Sequence, residues 1–182
     1  MPFGSYQASP QQAFENASKL MAAGAHMIEL EARRSWPRPR PSCPRGAFRS
    51  ADIWASLRNR WTRSVASSFK VPGKTEDAAQ CVLDDAKQIE AAGAVMIVFE
   101  AIPGALGKAV AAARSIPTIG IGARPDCSGQ ILLLYDMLDF FPGRKAKFVK
   151  KFMAGAGSLQ AAVEGFVREV KAGTIPSPEY CY

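Results

Sequence analysis

Three times along the chain, small residues and a glycine close a helical pattern and lead into a short apolar run. The clearest case is AAGAVMIVFEAIP, residues 91–103, where Val95–Phe99 run unbroken between Gly93 and Pro103. A continuous apolar run bounded by Gly and Pro reads as a buried parallel strand. It ends on a carboxylate, Glu100. AAGAHMIELEA, residues 22–32, repeats the design, with a strand Met27–Glu31 ending on Glu31. In SIPTIGIGARPDCSGQ, residues 115–130, the strand Thr118–Ile121 leads into a Gly-rich loop. Helix, glycine, strand and loop in repetition predict an α/β chain with a parallel sheet and right-handed crossovers. The C-terminal ends of such strands are where ligands bind. A strand-end Glu can equally be a solvated charge, and it is the repeated design that favours a site.

Helical periodicity fills the intervals. Residues 1–9 read as a loop, and Ser9-Pro10 starts a helix Pro10–Ala23 with Ala13, Phe14, Ala17, Leu20 and Met21 on one stripe. Thr75-Glu76-Asp77 opens a second helix through Ala92, with Ala79, Val82, Leu83, Ala86 and Ile89 inward. A third runs Gly104–Arg114. Gln130–Leu138 is a further apolar stretch broken by Asp136, and two C-terminal helices are predicted, Arg144–Met153 and Ser158–Lys171, the latter capped by Ser158 and stopped by Gly173.

Between Ala32 and Ser68 neither period holds for long. PRPRPSCPRG, residues 37–46, cannot be helix and makes a poor strand, because proline lacks the N–H and fixes φ. Composition sharpens the contrast. The chain of 182 residues carries a net charge of +7, and nine of its thirteen arginines lie in this window with one acid, Asp52, and no lysine. The window therefore holds +8 and leaves −1 for everything else, an ordinary enzyme-like balance. All three tryptophans (36, 54, 61) are there too. Elsewhere, 48% hydrophobic residues suit one globular domain. No run is long enough for a membrane span and the first residues lack a signal peptide's pattern, so a cytoplasmic location is expected. Cys43, Cys81, Cys127 and Cys181 are scattered without a C-x-x-C pair and read as free thiols rather than a zinc site. His26, the only histidine, reads as a polar residue at a strand start.

The motifs MIVFEAIP, IPTIGIGARPDCSGQILLLYDML, FPGRKAKFVKKFM, AVEGFVREVKAGTIPSPE and PFGSYQASPQQAFENA together resemble the ketopantoate hydroxymethyltransferases. The resemblance covers residues 2–31 and 69–182. It implies a (β/α)8 barrel of the phosphoenolpyruvate/pyruvate type, here expected to be incomplete: one partial barrel domain over 1–182, an aberrant segment at 32–68 and C-terminal helices in 140–182. It also implies transfer of a hydroxymethyl group from 5,10-methylenetetrahydrofolate to 3-methyl-2-oxobutanoate, Mg²⁺ as cofactor and a homo-oligomer. By resemblance Glu100 matches the family's general base and Glu31 one of its metal carboxylates. Removing a proton beside a ketone needs a base over that carbon, and a 2-oxo acid can chelate a hard cation.

The departures are specific. The family's substrate-binding lysine falls on Glu29, a charge reversal opposite an anionic substrate. The glycine that usually follows GIGA is Arg124, and the family's late Glu-His is Glu179-Tyr180. Further metal carboxylates and the first strands lie upstream of Met1-Pro2-Phe3 in the family, so an N-terminally truncated barrel with open edges and low solubility is expected.

Where the window sits, the family has a strand with a histidine and the motif GLTPQ. Taking the third base of each codon with the first two of the next, Pro44–Asn59 can encode ERGIPVCGHLGLTPQ, with an AGR codon for Arg45. Trp54-Ala55 forces a glycine within that string, and Asp52-Ile53 allows only His or Tyr. A pair of compensating frame shifts bracketing about residues 32–68 is therefore inferred over an arginine-rich nucleic-acid site. Three functions follow in order: the hydroxymethyltransferase, a catalytically inactive remnant or misread fragment of it, and a basic nucleic-acid-binding module.

Overall fold

A computed structural model describes residues 1–2, 4–31, 53–57, 71, 73–140, 142–143 and 145–182, with 31 and 53–57 described in their backbone only. The three predicted strands pair, with two further ones, into one five-stranded, all-parallel sheet in sequential order. Its strands are β1 Ile28–Glu31, β2 Ile53–Leu57, β3 Met96–Glu100, β4 Thr118–Ile121 and β5 Gly129–Gln130. The helices are α1 Pro10–Ala22, α2 Glu76–Ala91, α3 Gly104–Ala112, α4 Leu134–Met137 and α5 Leu159–Lys171.

The helix starts obey the capping chemistry read from the sequence. Ser9, Thr75 and Ser158 each stand at an N-cap, and their hydroxyls accept from the backbone N–H three residues on. Pro10 occupies the first position of α1, where its missing N–H costs nothing. Beyond α5, Gly173 takes φ +64° and its N–H donates to Val170 O, closing the helix.

Strand β3 separates two cores. Ile97 and Phe99 point to the helix side, where they join Ala86, Ile102, Leu106, Val110 and Ala123. The stripe of α2 predicted to face inward (Ala79, Val82, Leu83, Ala86, Ile89) packs on this cluster. Val98 points the other way, into a cluster with Ala101, Ile121, Ala146, Phe148 and Val149. A period of two is what sends alternate residues to opposite faces. A third cluster, Met137, Leu138, Phe152, Ala162 and Ile175, seats α4 and α5. Tight backbone approaches help: a Cβ on Gly107 would stand 2.4 Å from Ala123 O, so only glycine lets α3 lie this close to the chain after β4.

Two expectations are corrected. The predicted helix Arg144–Met153 does not form; the described residues 145–153 run as turns and extended chain, so of the two C-terminal helices only α5 is present. Its apolar residues serve different clusters, Phe148 and Val149 one and Phe152 another. A helix would place Phe148 and Phe152 on one stripe facing one neighbour. The Phe152 N–H instead donates to Met137 O at 2.9 Å. Second, the aberrant window contains an element: β2 lies between β1 and β3, in parallel register with both. The remainder of the window, with Cys43, lies outside the described residues. Cys81, Cys127 and Cys181 are free thiols, as expected. No helix among the described residues is long and apolar enough to cross a membrane.

Glu90, near the end of α2, ties that helix to the approach to β4. It accepts from Arg114 Nη1 at 3.0 Å, from Ser115 N at 2.9 Å and from the Ser115 hydroxyl. The Ser115 hydrogen bonds, with Arg114 adding to them, hold its carboxyl below the usual carboxylate range. A depressed folded-state pKa contributes stability above the ordinary carboxylate range, and that stability is lost as pH falls through the depressed value. The gap in melting temperature between the wild type and Glu90→Gln is expected at pH 7 and should narrow steadily below pH 4 in a pH series of thermal melts. Phe99→Ala, which empties a fully buried site, is expected to lower stability by about 3–5 kcal/mol in urea titrations.

Candidate active site

The inward face of the sheet is built in register rows. Glu29 pairs with Trp54 and Trp54 with Met96; Glu31 pairs with Ser56, Ser56 with Val98 and Val98 with Ile119; Glu100 pairs with Ile121. Paired residues of a parallel sheet share a face, and so do residues two apart on one strand. Glu100 therefore stands on the face of Val98 and Ile121, one step nearer the strand's C-terminal end, and is half-buried there. Glu29, in the row of Met96, is exposed. Glu31 closes β1, and its side chain lies outside the described part. Two strand spacings, about 10 Å, separate β1 from β3.

The ends of β3 and β4 are conformationally unusual. Ala101, directly after Glu100, has φ +52°, Gly122 has +71° and Arg124 has +74°. Left-handed backbone at non-glycine residues is costly and gathers where surrounding structure imposes it, often at functional sites. Here the Ala101 N–H donates to Ile121 O at 2.8 Å, which fixes the turn that follows Glu100. A Cβ on Gly122 would lie 2.6 Å from Phe148 Cβ, so the absence of a side chain admits Phe148 over the inward face. The Tyr182 ring meets Phe148 edge-on at 6.3 Å, and Tyr182 O accepts from Gly104 N at 3.1 Å. An apolar cluster thus packs on the inward face beside the strand that ends in Glu100.

Neither Cys127 nor Cys181 is primed as a nucleophile. Burial pushes Cys127 up to about 11, and burial likewise raises Cys181. His26 is exposed just ahead of β1, as its reading as a strand-start residue expects. Among the described residues no group of three or more His, Cys, Asp or Glu side chains gathers to hold a metal ion. Glu29 and Glu100 share a face without converging, so the described donors do not by themselves fit Mg²⁺, which demands near-octahedral oxygen ligation. The sheet thus puts Glu29 and Glu100 on one face, with Glu31 closing β1, and the described side chains form no metal-binding cluster.

The family profile described as Ketopantoate hydroxymethyltransferase matches residues 1–178. The chain belongs to this family. Among its relatives are proteins named 3-methyl-2-oxobutanoate hydroxymethyltransferase from Dechloromonas aromatica, 48% identical over 183 residues, and from Thiobacillus denitrificans, 48% identical over 185 residues. A third, from Nitrosospira multiformis, is 41% identical over 190 residues. Each alignment takes in all of this chain and, in the same order, 66%, 68% and 68% of the relative. The chain thus spans about two thirds of the length of the curated relatives it matches. Family membership accounts for the long motifs around Glu100 and for the parallel α/β architecture.

Sequence reasoning located the strand-end acids and missed what surrounds them. Arg124 stood out only as a departure from GIGA-Gly, the role of Phe148 lay hidden in a segment read as helix, and Tyr182 drew no reading. The spacing of Phe148, Val149 and Phe152 among lysines was the available signal. Gly122→Ala should cost about 1–3 kcal/mol, from the left-handed φ and the clash with Phe148 together. Denaturant unfolding checks this, and a variant as stable as the wild type would contradict the close packing of Phe148 on Gly122.

Proposed function

We propose that this chain carries the reaction site of its family, with Glu100 as the general base that takes the proton from C3 of 3-methyl-2-oxobutanoate. Water would release the one-carbon unit of 5,10-methylenetetrahydrofolate at the level of formaldehyde, breaking its C–N bonds, and the carbanion equivalent would add to that carbon, giving 2-dehydropantoate and tetrahydrofolate with the hydroxyl oxygen drawn from water. The observation that carries this reading is the position of Glu100: half-buried, on the inward face, at the ligand end of β3 and paired in register with Ile121, which shares a buried cluster with Phe148. A carboxylate held over that carbon can take its proton, and the apolar residues on the same face would limit the access of water to the carbanion. Glu31, ending β1, is the position at which the resemblance puts a Mg²⁺ carboxylate. The described residues supply no further ligands for that ion, and the proton step assigned to Glu100 is stated without it. A cytoplasmic, homo-oligomeric enzyme goes with this reading.

A second reading, a catalytically silent remnant or misread fragment, is favoured by two observations. Glu29 puts a negative charge on the inward-face row where the resemblance expects a substrate lysine. The window at 32–68 holds nine arginines, three tryptophans and a single acid, unlike the rest of the chain, and one shifted phase of it can spell GHLGLTPQ. Out-of-phase reading of GC-rich codons also accounts for Arg, Pro and Trp there, leaving nothing for a nucleic-acid site to explain.

Deuterium exchange at C3 of 3-methyl-2-oxobutanoate, followed by proton NMR in D₂O, tests both. Exchange by the wild type and none by Glu100→Gln is the expected pattern for the enzyme. Equal exchange by both would overturn the role of Glu100. Absence of exchange from the folded wild type would establish the silent reading for the chain as written.

A further inference from the structure

Arg124 is the one large charged side chain among the described residues that sits in left-handed backbone at the ligand end of the sheet. Its aliphatic part lies across the first residue of α3: a Cβ on Gly104 would stand 2.1 Å from Arg124 Cδ and 2.3 Å from Cγ. The loop after β4 and the loop after β3 therefore cross at this contact, four residues beyond Glu100 in one and three beyond Ile121 in the other. Arg124 O accepts from Gln130 Nε2 at 2.8 Å, which pins the backbone of the loop from the β5 side. The guanidinium itself is half exposed, at 50%. Its carboxylate neighbour, Asp126, lies 3.8 Å from Nε and is shared with Lys108 at 3.7 Å. Two cations thus face one acid, at distances longer than a charge-assisted hydrogen bond. The arrangement is a positive rim held in a strained conformation, outside the apolar inward face and beside the strand end that bears Glu100.

We propose that Arg124 is a specificity-determining residue that receives the glutamate carboxylates of the pteroyl one-carbon donor at this rim. The proposal rests on the hydroxymethyltransferase reading. The donor's reacting carbon and its anionic glutamate are at opposite ends of an extended molecule, so its carboxylates must be met away from the base. Arginine's planar fork suits a carboxylate, and Lys108 adds charge without geometry. The 2-oxo acid, whose carboxylate is only two bonds from the reacting carbon, belongs nearer Glu100 than the rim.

The test is equilibrium binding of tetrahydrofolate and of tetrahydropteroate, which lacks the glutamate, to the wild type, Arg124→Gly and Arg124→Lys. The wild type should bind tetrahydrofolate about tenfold more tightly than tetrahydropteroate, and added salt should shrink that preference. Arg124→Gly should bind both alike, and Arg124→Lys should keep part of the preference. Because glycine tolerates φ +74°, Arg124→Gly should melt no lower than the wild type, which separates lost recognition from lost folding. A glutamate preference that survives in Arg124→Gly, or none in the wild type, overturns the proposal and leaves the hydroxymethyltransferase reading intact. Failure to bind either pteroyl compound overturns both.

Discussion

The structure depends on the alternation of one short strand. β3 has five residues, and its two faces feed different cores: Ile97 and Phe99 anchor α2 and α3, while Val98 and Glu100 face the chain that returns over the sheet. A shift of register by one residue would bury Glu100 among the helices and turn Phe99 to the inward face. The apolar face therefore fixes where the carboxylate points. Full burial of Ile97 and Phe99 makes that choice firm. The carboxylate is thus positioned by the packing of its strand neighbours.

Close backbone approach and positive φ values then shape the strand ends. Glycine at 107 lets α3 lie against Ala123, and glycine at 104 leaves room for Arg124. Glycine at 122 admits Phe148. Ala101 and Arg124 adopt the same left-handed region without glycine's freedom, held by the Ala101–Ile121 and Gln130–Arg124 hydrogen bonds. Neighbouring strands thus end in conformations that the surrounding contacts impose, and Glu100 lies between the packed strand and the strained turn.

Most of the fold was legible because its signals are local. Ser9, Thr75 and Ser158 mark helix starts through their own hydroxyls, and Val95–Phe99 and Thr118–Ile121 mark buried strands by composition. Glu100 was legible for the same reason, as a charge ending an apolar run. The path of residues 145–153 was not, since it is decided by which of two distant clusters receives Phe148 and which receives Phe152. Arg124 was visible as a departure and became interpretable only through Gly104, twenty residues away in sequence and in contact in space. β2 was illegible in the residues 53–57 themselves, which carry none of the family's strand motif. Its place follows from register, between β1 and β3.

That contrast is the centre of the account: a parallel sheet whose second strand lies inside the segment that a shifted reading phase would explain. The most direct measurement is the base sequence of codons 32 to 68. Reading from third bases, codons 44–59 should spell ERGIPVCGHLGLTPQ, which requires wobble bases such as G in Pro44, A in Ala47, T in Ser50 and C in Asp52 that the protein sequence leaves open. A shifted frame that instead meets stop codons, or spells residues unrelated to GHLGLTPQ, would contradict the account.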